Sequence, residues 1–294
     1  MFKKLLIANR GEIAVRIIRA AQDLGITTVS VYARDDTGAL HTTLADEAVA
    51  LDATGPAAYL DITTLVAVAR QHGCEAVHPG YGFLSERADF AQACADAGLV
   101  FIGPTPAQLA LFGDKARARQ LAAEHGVPLL PGTAAATLAE IEAFFAAQRA
   151  LDPACGVMLK AVAGGGGRGM RAVFEPAAVA EAYARCAAEA LAAFGVGDVY
   201  AEKLIPRARH LEIQVLGDGT QVMALGEREC TLQRRFQKLV EIAPSPRLNP
   251  ALREQLIGAA LTLARSSRYT GLGTFEFLDR KSTRLNSSHP QLSR

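Results

Sequence analysis

The sequence predicts two architectures in succession: an α/β region built on a parallel sheet, then an α+β region. Three observations carry this. Between residues 5 and 102, short apolar runs alternate with helical patterns, as strands and covering helices of a parallel sheet do. The register changes near Gly103-Pro104, where two helical patterns follow one another. From Val157 onward strand-like segments come in succession, which argues for antiparallel pairing.

In chain order, Leu5 to Ala8 reads as a buried strand and Gly11 to Leu24 as a helix, with Ile13, Ile17, Ala20 or Ala21, and Leu24 at helical spacing. Thr27 to Tyr32 is a β-branched strand. Helix Asp61 to Gln71, strand Ala76 to His78, helix Ser85 to Ala97 and strand Val100 to Ile102 complete the first region. Helices Thr105 to Phe112 and Asp114 to His125 follow. The second region offers strands at Val157 to Ala161, Arg171 to Phe174, Val199 to Lys203, Leu211 to Leu216, Gln221 to Leu225 and Gly273 to Leu278. Helices Pro176 to Ala193 and Pro250 to Ser267 interrupt them. Beyond residue 280 the chain turns polar and loses periodicity. Lys281 to Arg294 therefore reads as a non-native-looking tail outside the fold.

The chain has 294 residues, enough for about two domains at ~150 residues each. Half of it is apolar, which excludes wholesale disorder. Lys plus Arg number 31 and Asp plus Glu 30, so the net +1 gives no electrostatic footprint for nucleic acid or an anionic membrane. Cys74, Cys94, Cys155, Cys186 and Cys230 are scattered and form no CxxC, which argues against a zinc ribbon or redox pair. No apolar run reaches the ~18 residues of a membrane span, and the Leu5 to Ala8 run is too short for a secretion signal. The expected location is cytoplasmic.

The strongest local signal is Gly164-Gly165-Gly166-Gly167-Arg168-Gly169, lying between two predicted strands. A Rossmann turn needs a helix after the glycines, so this run reads instead as a hairpin tip resembling the flap that covers nucleotide phosphates. Glycines there let backbone N–H groups approach phosphate oxygens; the plain alternative is a flexible loop. Lys160 ends the strand before that loop and Lys115 opens the helix after Gly113-Asp114. A lysine beside a phosphate flap neutralises phosphate charge, although a lone lysine is more often a solvated one. His210 by itself reads as an ordinary edge histidine. Thr274, Glu276 and Leu278 share one strand face and Phe275 and Phe277 the other. Glu276 is then either a metal ligand or a solvent-facing carboxylate. Gln233-Arg234-Arg235-Phe236-Gln237-Lys238 shows no alternation and reads as a basic loop, solvated or holding an anion.

Taken together these segments resemble the biotin carboxylases, which are ATP-grasp enzymes. The matching stretches are Ile7 to Ala14, His78-Pro79-Gly80-Tyr81-Gly82-Phe83-Leu84-Ser85-Glu86, Gly113-Asp114-Lys115, and Lys160 with the 164–169 loop. Further on come Glu202-Lys203, Arg209 to Val215, Glu227 to Cys230, the 233–238 segment and Gly273 to Phe277. The resemblance implies a pre-ATP-grasp α/β domain at 1–113 and an incomplete ATP-grasp domain at 114–279. Residues 131–203 of the latter would form a flexible lid, with the tail at 280–294. It implies that Lys115 and Lys160 contact ATP and that Gly166 and Gly167 lie against its phosphates. The backbone of Glu202, Lys203, Leu204 and Ile205 would receive adenine, with His210, Gln233 and Phe236 also on the nucleotide side. Lys238 would hold bicarbonate and Glu276 would bind Mg2+ or Mn2+.

The implied reaction is attack of bicarbonate on the γ-phosphate of ATP to give carboxyphosphate, which carboxylates biotin. Biotin would arrive as a substrate on a biotin carboxyl carrier domain or protein, and a carboxyltransferase would consume the product. The family also implies a homodimer at full length. Two departures stand out. Phe236 replaces a histidine common in the family, and the family's Glu-x-Asn-x-Arg segment after the Glu276 strand has no counterpart here. The resemblance therefore implies that the chain as given is inactive alone. Another ATP-grasp ligase and a non-catalytic nucleotide-binding module remain the alternatives.

Overall fold

The first strand shows why a parallel sheet forms. In β1 (Lys4–Ile7), Leu5, Leu6 and Ile7 are all buried, and alternate residues feed two different cores. Leu6 joins one core with Val29, Val31, Val77 and Phe90, while Leu5 and Ile7 join another with Ile17 and Ile18. A strand with apolar residues on both faces needs a layer on each side, and helices supply it. The computed structural model describes residues 2–162, 169–206, 208–234, 237–280 and 288–291.

The chain divides into two compact units. The first comprises residues 1–113 and Tyr269–Leu272. Its elements run α1 (Gly11–Asp23), β2 (Thr27–Tyr32), α2 (Leu40–Leu44), β3 (Glu47–Ala50), α3 (Ile62–Gln71), β4 (Ala76–His78), α4 (Ala88–Asp96), β5 (Val100–Phe101) and α5 (Pro106–Gly113). The strands pair in parallel in the order β3-β2-β1-β4-β5. Residues 269–272 belong to this unit, where the sequence reading had assigned them to the second region. Thr270 donates to Gln108 Oε1 through both N–H (3.3 Å) and hydroxyl (3.0 Å), and the rings of Tyr269 and Phe112 meet edge to face.

The second unit comprises residues 114–268 and 273–294. It opens with α6 (Lys115–Glu124) and α7 (Leu138–Leu151). A three-stranded antiparallel sheet follows, in the order β7-β6-β8, from β6 (Val157–Ala161), β7 (Met170–Val173) and β8 (Val199–Lys203). Helix α8 (Val179–Phe194) and α7 cover it, burying Ile141, Phe145, Leu159, Val173 and Cys186 together. The larger sheet contains β9 (Ala208–Asp218), β10 (Val222–Arg234), β11 (Gln237–Ile242), β12 (Thr270–Arg280) and β13 (Ser288–Gln291), in the order β11-β10-β9-β12-β13. Helix α9 (Pro250–Ser266) packs on this sheet. Burial alternates along it: Leu211, Ile213 and Val215 of β9 and Phe275 and Phe277 of β12 are core residues.

Several elements differ from the sequence reading, among them the short helix α2, which it did not offer, and β10, which runs past Leu225 to Arg234. Helix α7 carries a capping box in which Thr137 and Glu140 bond reciprocally, a signal present in the sequence that its weak apolar stripe obscured. Strand β3 is half exposed and only four residues long, too short to show a period of two. The basic 233–238 segment, read as a loop, holds strand pairing at its described residues, with Gln233 opposite Lys238 and Arg234 opposite Gln237. Ser288–Gln291, read as part of an unpatterned tail, pairs antiparallel with Glu276–Asp279. A sheet edge recognises main-chain N–H and C=O groups and asks little of side chains, so no periodicity announces it.

Candidate active site

Lys115 owes its place to a helix cap. The Asp114 side chain accepts from the N–H groups of Ala116 (2.9 Å) and Arg117 (3.2 Å), which starts α6 with Lys115 as its first residue. A cation at the positive end of a helix opposes the macrodipole, so the local electrostatics disfavour it and function is the better reason for it. Lys115 Nζ donates to Ala161 O (3.3 Å) and lies 5.5 Å from the centre of the Tyr200 ring. Lys160, on β6, brings its own ammonium to 6.0 Å from the same ring. Two lysines distant in sequence thus converge beside the strand that leads into the glycine run. Burial pushes the Tyr200 hydroxyl far above its ordinary range, so the ring stays neutral.

The Lys160 side chain is only 5% exposed, and its charge is answered by Glu202 on β8, Nζ to Oε2 2.6 Å. Antiparallel pairing sets Met158 opposite Glu202 and Lys160 opposite Tyr200, so Lys160 and Glu202 are diagonal neighbours on one face. The other oxygen of Glu202 accepts from Arg119 Nη1 (2.9 Å). Burial opposes ionisation of Glu202, but Lys160 and Arg119 outweigh it and hold the carboxyl below its ordinary value.

A second cluster lies on the larger sheet. Lys238 of β11 bridges two carboxylates, Glu212 Oε2 at 2.5 Å and Glu276 Oε1 at 2.7 Å. Burial disfavours its charge, yet Glu276 and Glu212 raise it well above the ordinary lysine range. Glu212 is buried on β9 and also receives Arg228 Nε (2.6 Å), which reaches on through Nη1 to Gln214 Oε1 (2.9 Å). His210 lies on the same strand face as Glu212, and its backbone N–H donates to Thr231 Oγ1 (3.1 Å). Desolvation lowers the imidazole below its ordinary value, with Lys238 and Lys160 adding to the effect and Glu276 opposing it. His210 therefore feels the charges of both clusters.

The structure thus brings Lys115, Lys160, Glu202, His210, Lys238 and Glu276 into two neighbouring groups. Gln233 is spent locally, its Nε2 donating to Cys230 O (2.9 Å). Within the 202–205 stretch the N–H groups of Lys203 and Leu204 already donate to Pro131 O and Gly156 O, both at 2.9 Å. Any backbone recognition there falls to Ile205 N–H and to carbonyls. Gly166, Gly167 and Phe236 lie outside the described residues. Gly169, which ends the glycine run, has a φ of +66°, and a Cβ there would sit 2.9 Å from Ala161 Cβ. Sequence reasoning missed Arg119, Glu212 and Arg228. A charged residue at alternate spacing inside an apolar strand, as Glu212 is between Leu211 and Ile213, was the available signal for one of them.

Glu276 fits a hard divalent cation. It offers a carboxylate oxygen donor, its side chain is 23% exposed, and one of its oxygens is engaged by Lys238. Among the described residues, Glu212, Cys230 and Glu241 also cluster, but Glu212 is already held by Arg228 and Lys238, so two cations stand where a metal would sit. Among the described residues, no helix is long and apolar enough to cross a membrane.

Comparison with known proteins agrees with this geometry. Residues 1–109 match the model of the biotin carboxylase N-terminal domain, and residues 114–286 that of the carbamoyl-phosphate synthase L chain ATP binding domain. Mitochondrial pyruvate carboxylase of Mus musculus is 49% identical over 94% of this chain, which spans 23% of that protein. Biotin carboxylase of a Nostoc species is 47% identical over 98% of this chain and 66% of its own length. The solved biotin carboxylase domain dimer of Hydrogenobacter thermophilus 2-oxoglutarate carboxylase, in complex with MgADP, ADP and bicarbonate, superposes with a TM-score of 0.91. It is 42% identical and covers 99% of this chain and 63% of that one. With a biotin carboxylase N-terminal domain followed by an ATP-binding domain on a shared fold, the chain belongs to the biotin carboxylase family.

Proposed function

We propose that this chain supplies the nucleotide-binding part of a biotin carboxylase, the ligase that carboxylates carrier-bound biotin with ATP and bicarbonate. The observation that carries the reading is the convergence of Lys115 and Lys160 against Tyr200 beside the strand that enters the glycine run. Two ammonium groups on a partly desolvated surface suit a polyphosphate, and glycine-run N–H groups would complete its cradle. Lys115, Lys160, Glu202, His210 and the 202–205 backbone are the nucleotide side of the site, with Gly166 and Gly167 over the phosphates.

Lys238 faces the reacting end. Its ammonium stays charged throughout the physiological range, so it provides a fixed positive charge for bicarbonate while Glu212 and Arg228 hold its position. Glu276 would hold magnesium or manganese, which when bound neutralises charge on the phosphate oxygens. Biotin arrives on a carrier domain or protein, a carboxyltransferase takes the carboxyl group onward, and the working form is a homodimer in the cytoplasm. The domain division at 113/114 and the lid at 131–203 belong to this reading. The lid would correspond to the separate β7-β6-β8 sheet with α7 and α8.

The test is ADP release that depends on both bicarbonate and free biotin, assayed with the 294-residue chain beside a version extended to the length of the Nostoc relative. MgATP binding by both, with turnover only in the extended form, is the expected result. Turnover without biotin in the extended form would assign the chain to another ligase of this fold. ATP binding with no turnover in either form would make it a nucleotide-binding module.

A further inference from the structure

Glu202 is a buried carboxylate that accepts from Lys160 and Arg119, with Lys115 adding its charge, and the two donors differ in kind. Lys160 carries a flexible ammonium at the strand end that enters the glycine run. Arg119 is fixed at both ends of its fork, with Nη1 donating to Glu202 Oε1 (2.9 Å) and Nη2 to Leu130 O (2.8 Å). It stands one helical turn after Lys115 on α6, so the two project from the same side of that helix. The space around it is closely built. A Cβ on Gly132 would meet Ala201 O at 2.9 Å, Glu202 Cγ at 3.1 Å and Arg119 Nη2 at 3.2 Å.

We infer that Arg119 is a positioning residue that keeps Glu202 satisfied as an anion, so that the ammonium of Lys160 is free to turn to a nucleotide phosphate. The inference rests on the nucleotide reading above and assigns a role to a residue outside it. A lysine that binds phosphate must leave its resting partner. If that partner is a buried carboxylate whose remaining positive charge is too weakly placed, as Lys115 acting through space alone would be, the exchange leaves a desolvated charge under-compensated, and the carboxylate holds the lysine back or takes up a proton. Arg119 removes that penalty, because Glu202 keeps one charge-assisted hydrogen bond throughout. A lysine at position 119 reaches one acceptor at a time, whereas the planar fork serves Glu202 and Leu130 O together.

The experiment measures MgADP affinity of the 294-residue chain by titration calorimetry from pH 5.5 to 8, for wild type, Arg119→Leu, Arg119→Gln, Arg119→Lys, Glu202→Gln and the Arg119→Leu/Glu202→Gln pair. Far-UV circular dichroism and thermal melts restrict the comparison to folded variants, and Arg119→Gln serves where Arg119→Leu does not fold. Losing the charge at 119 is expected to weaken binding about tenfold or more at pH 8. The loss should shrink as pH falls, because protonation of Glu202 releases Lys160, while wild type and Arg119→Lys stay flat. In the double variant, removing Arg119 should add little to the effect of Glu202→Gln. Purely structural damage would instead add to the Glu202 effect and ignore pH. Additive, pH-independent losses, or unchanged affinity in the charge-free variants, overturn the inference while the nucleotide reading stands. Failure of wild type to bind MgADP overturns both.

Discussion

The two charged clusters of the second unit centre on charges of opposite sign, although Glu212 in the second also receives Arg228. At the β6–β8 end one carboxylate, Glu202, accepts from Lys160 and Arg119, and Lys115 adds its charge. On the larger sheet one ammonium, Lys238, answers two carboxylates, Glu212 and Glu276. The first arrangement is poised to receive an anion and the second to receive a cation beside a fixed positive charge. They also differ in burial at one ion pair each, since Glu202 and Lys160 are nearly sealed whereas Lys238 and Glu276 are partly open to solvent, although Glu212 is as buried as Glu202. An exchange of partners at the sealed cluster exposes a charge to a low-dielectric surrounding, so it needs a second counter-ion. The open cluster tolerates partner loss because water substitutes.

The sharpest break of this contrast is Glu202→Leu, which leaves Lys160 and Arg119 facing an apolar side chain. A loss of about 3–5 kcal/mol of stability is expected, read from the urea midpoint. A change below about 1 kcal/mol would show that the cluster is solvated after all. Next in size is Lys238→Ala in the extended enzyme. Bicarbonate-dependent ATP cleavage should fall by about 1.5–3 kcal/mol of transition-state stabilisation, with ATP binding retained. Equal loss of binding would move Lys238 to the nucleotide side.

Glu276→Leu is the partner experiment to Glu202→Leu. Lys238 keeps Glu212, and the lost pair is partly solvated, so stability should change by less than about 1 kcal/mol. A loss as large as that of Glu202→Leu would erase the contrast between the clusters. The smallest effect is a titration. His210 should titrate below the ordinary histidine value of 6.5, by burial first and then by Lys238 and Lys160. A histidine whose folded pKa is depressed leaves stability intact above 6.5 and costs stability as pH falls through 6.5 toward the folded value. Lys238→Met should raise the His210 midpoint, and Glu276→Gln should lower it, as followed by histidine proton NMR. No movement in either variant would mean that the second cluster does not reach the imidazole.

The paired segment at 233–238 marks a limit of sequence reading. Polar and charged residues dominate it, and β11 is exposed along its length with Leu239, Val240 and Ile242 included, so no buried face sets a period of two. Its pairing is decided by β10, which is itself held by β9. Among candidate site residues, Lys115, Lys160, His210, Lys238 and Glu276 were named through the family resemblance, whereas Arg119 looked like any charged residue of a helix.

Local patterning by itself determined the parallel sheet around β1 in the first unit. Leu5, Leu6 and Ile7 bury on both faces, and only a parallel sheet between helices satisfies such a run. It also determined the inward faces of β9 and β12, because a period of two sends Leu211, Ile213, Phe275 and Phe277 to one side. Tertiary structure alone decided which charge meets which. Arg119 finds Glu202 across 83 residues of chain and Lys160 finds it across 42. A charged side chain carries no local signature of its partner. Its energy depends on burial and on the distance to other charges, and both exist only once the strands have paired and the helix has been laid against them.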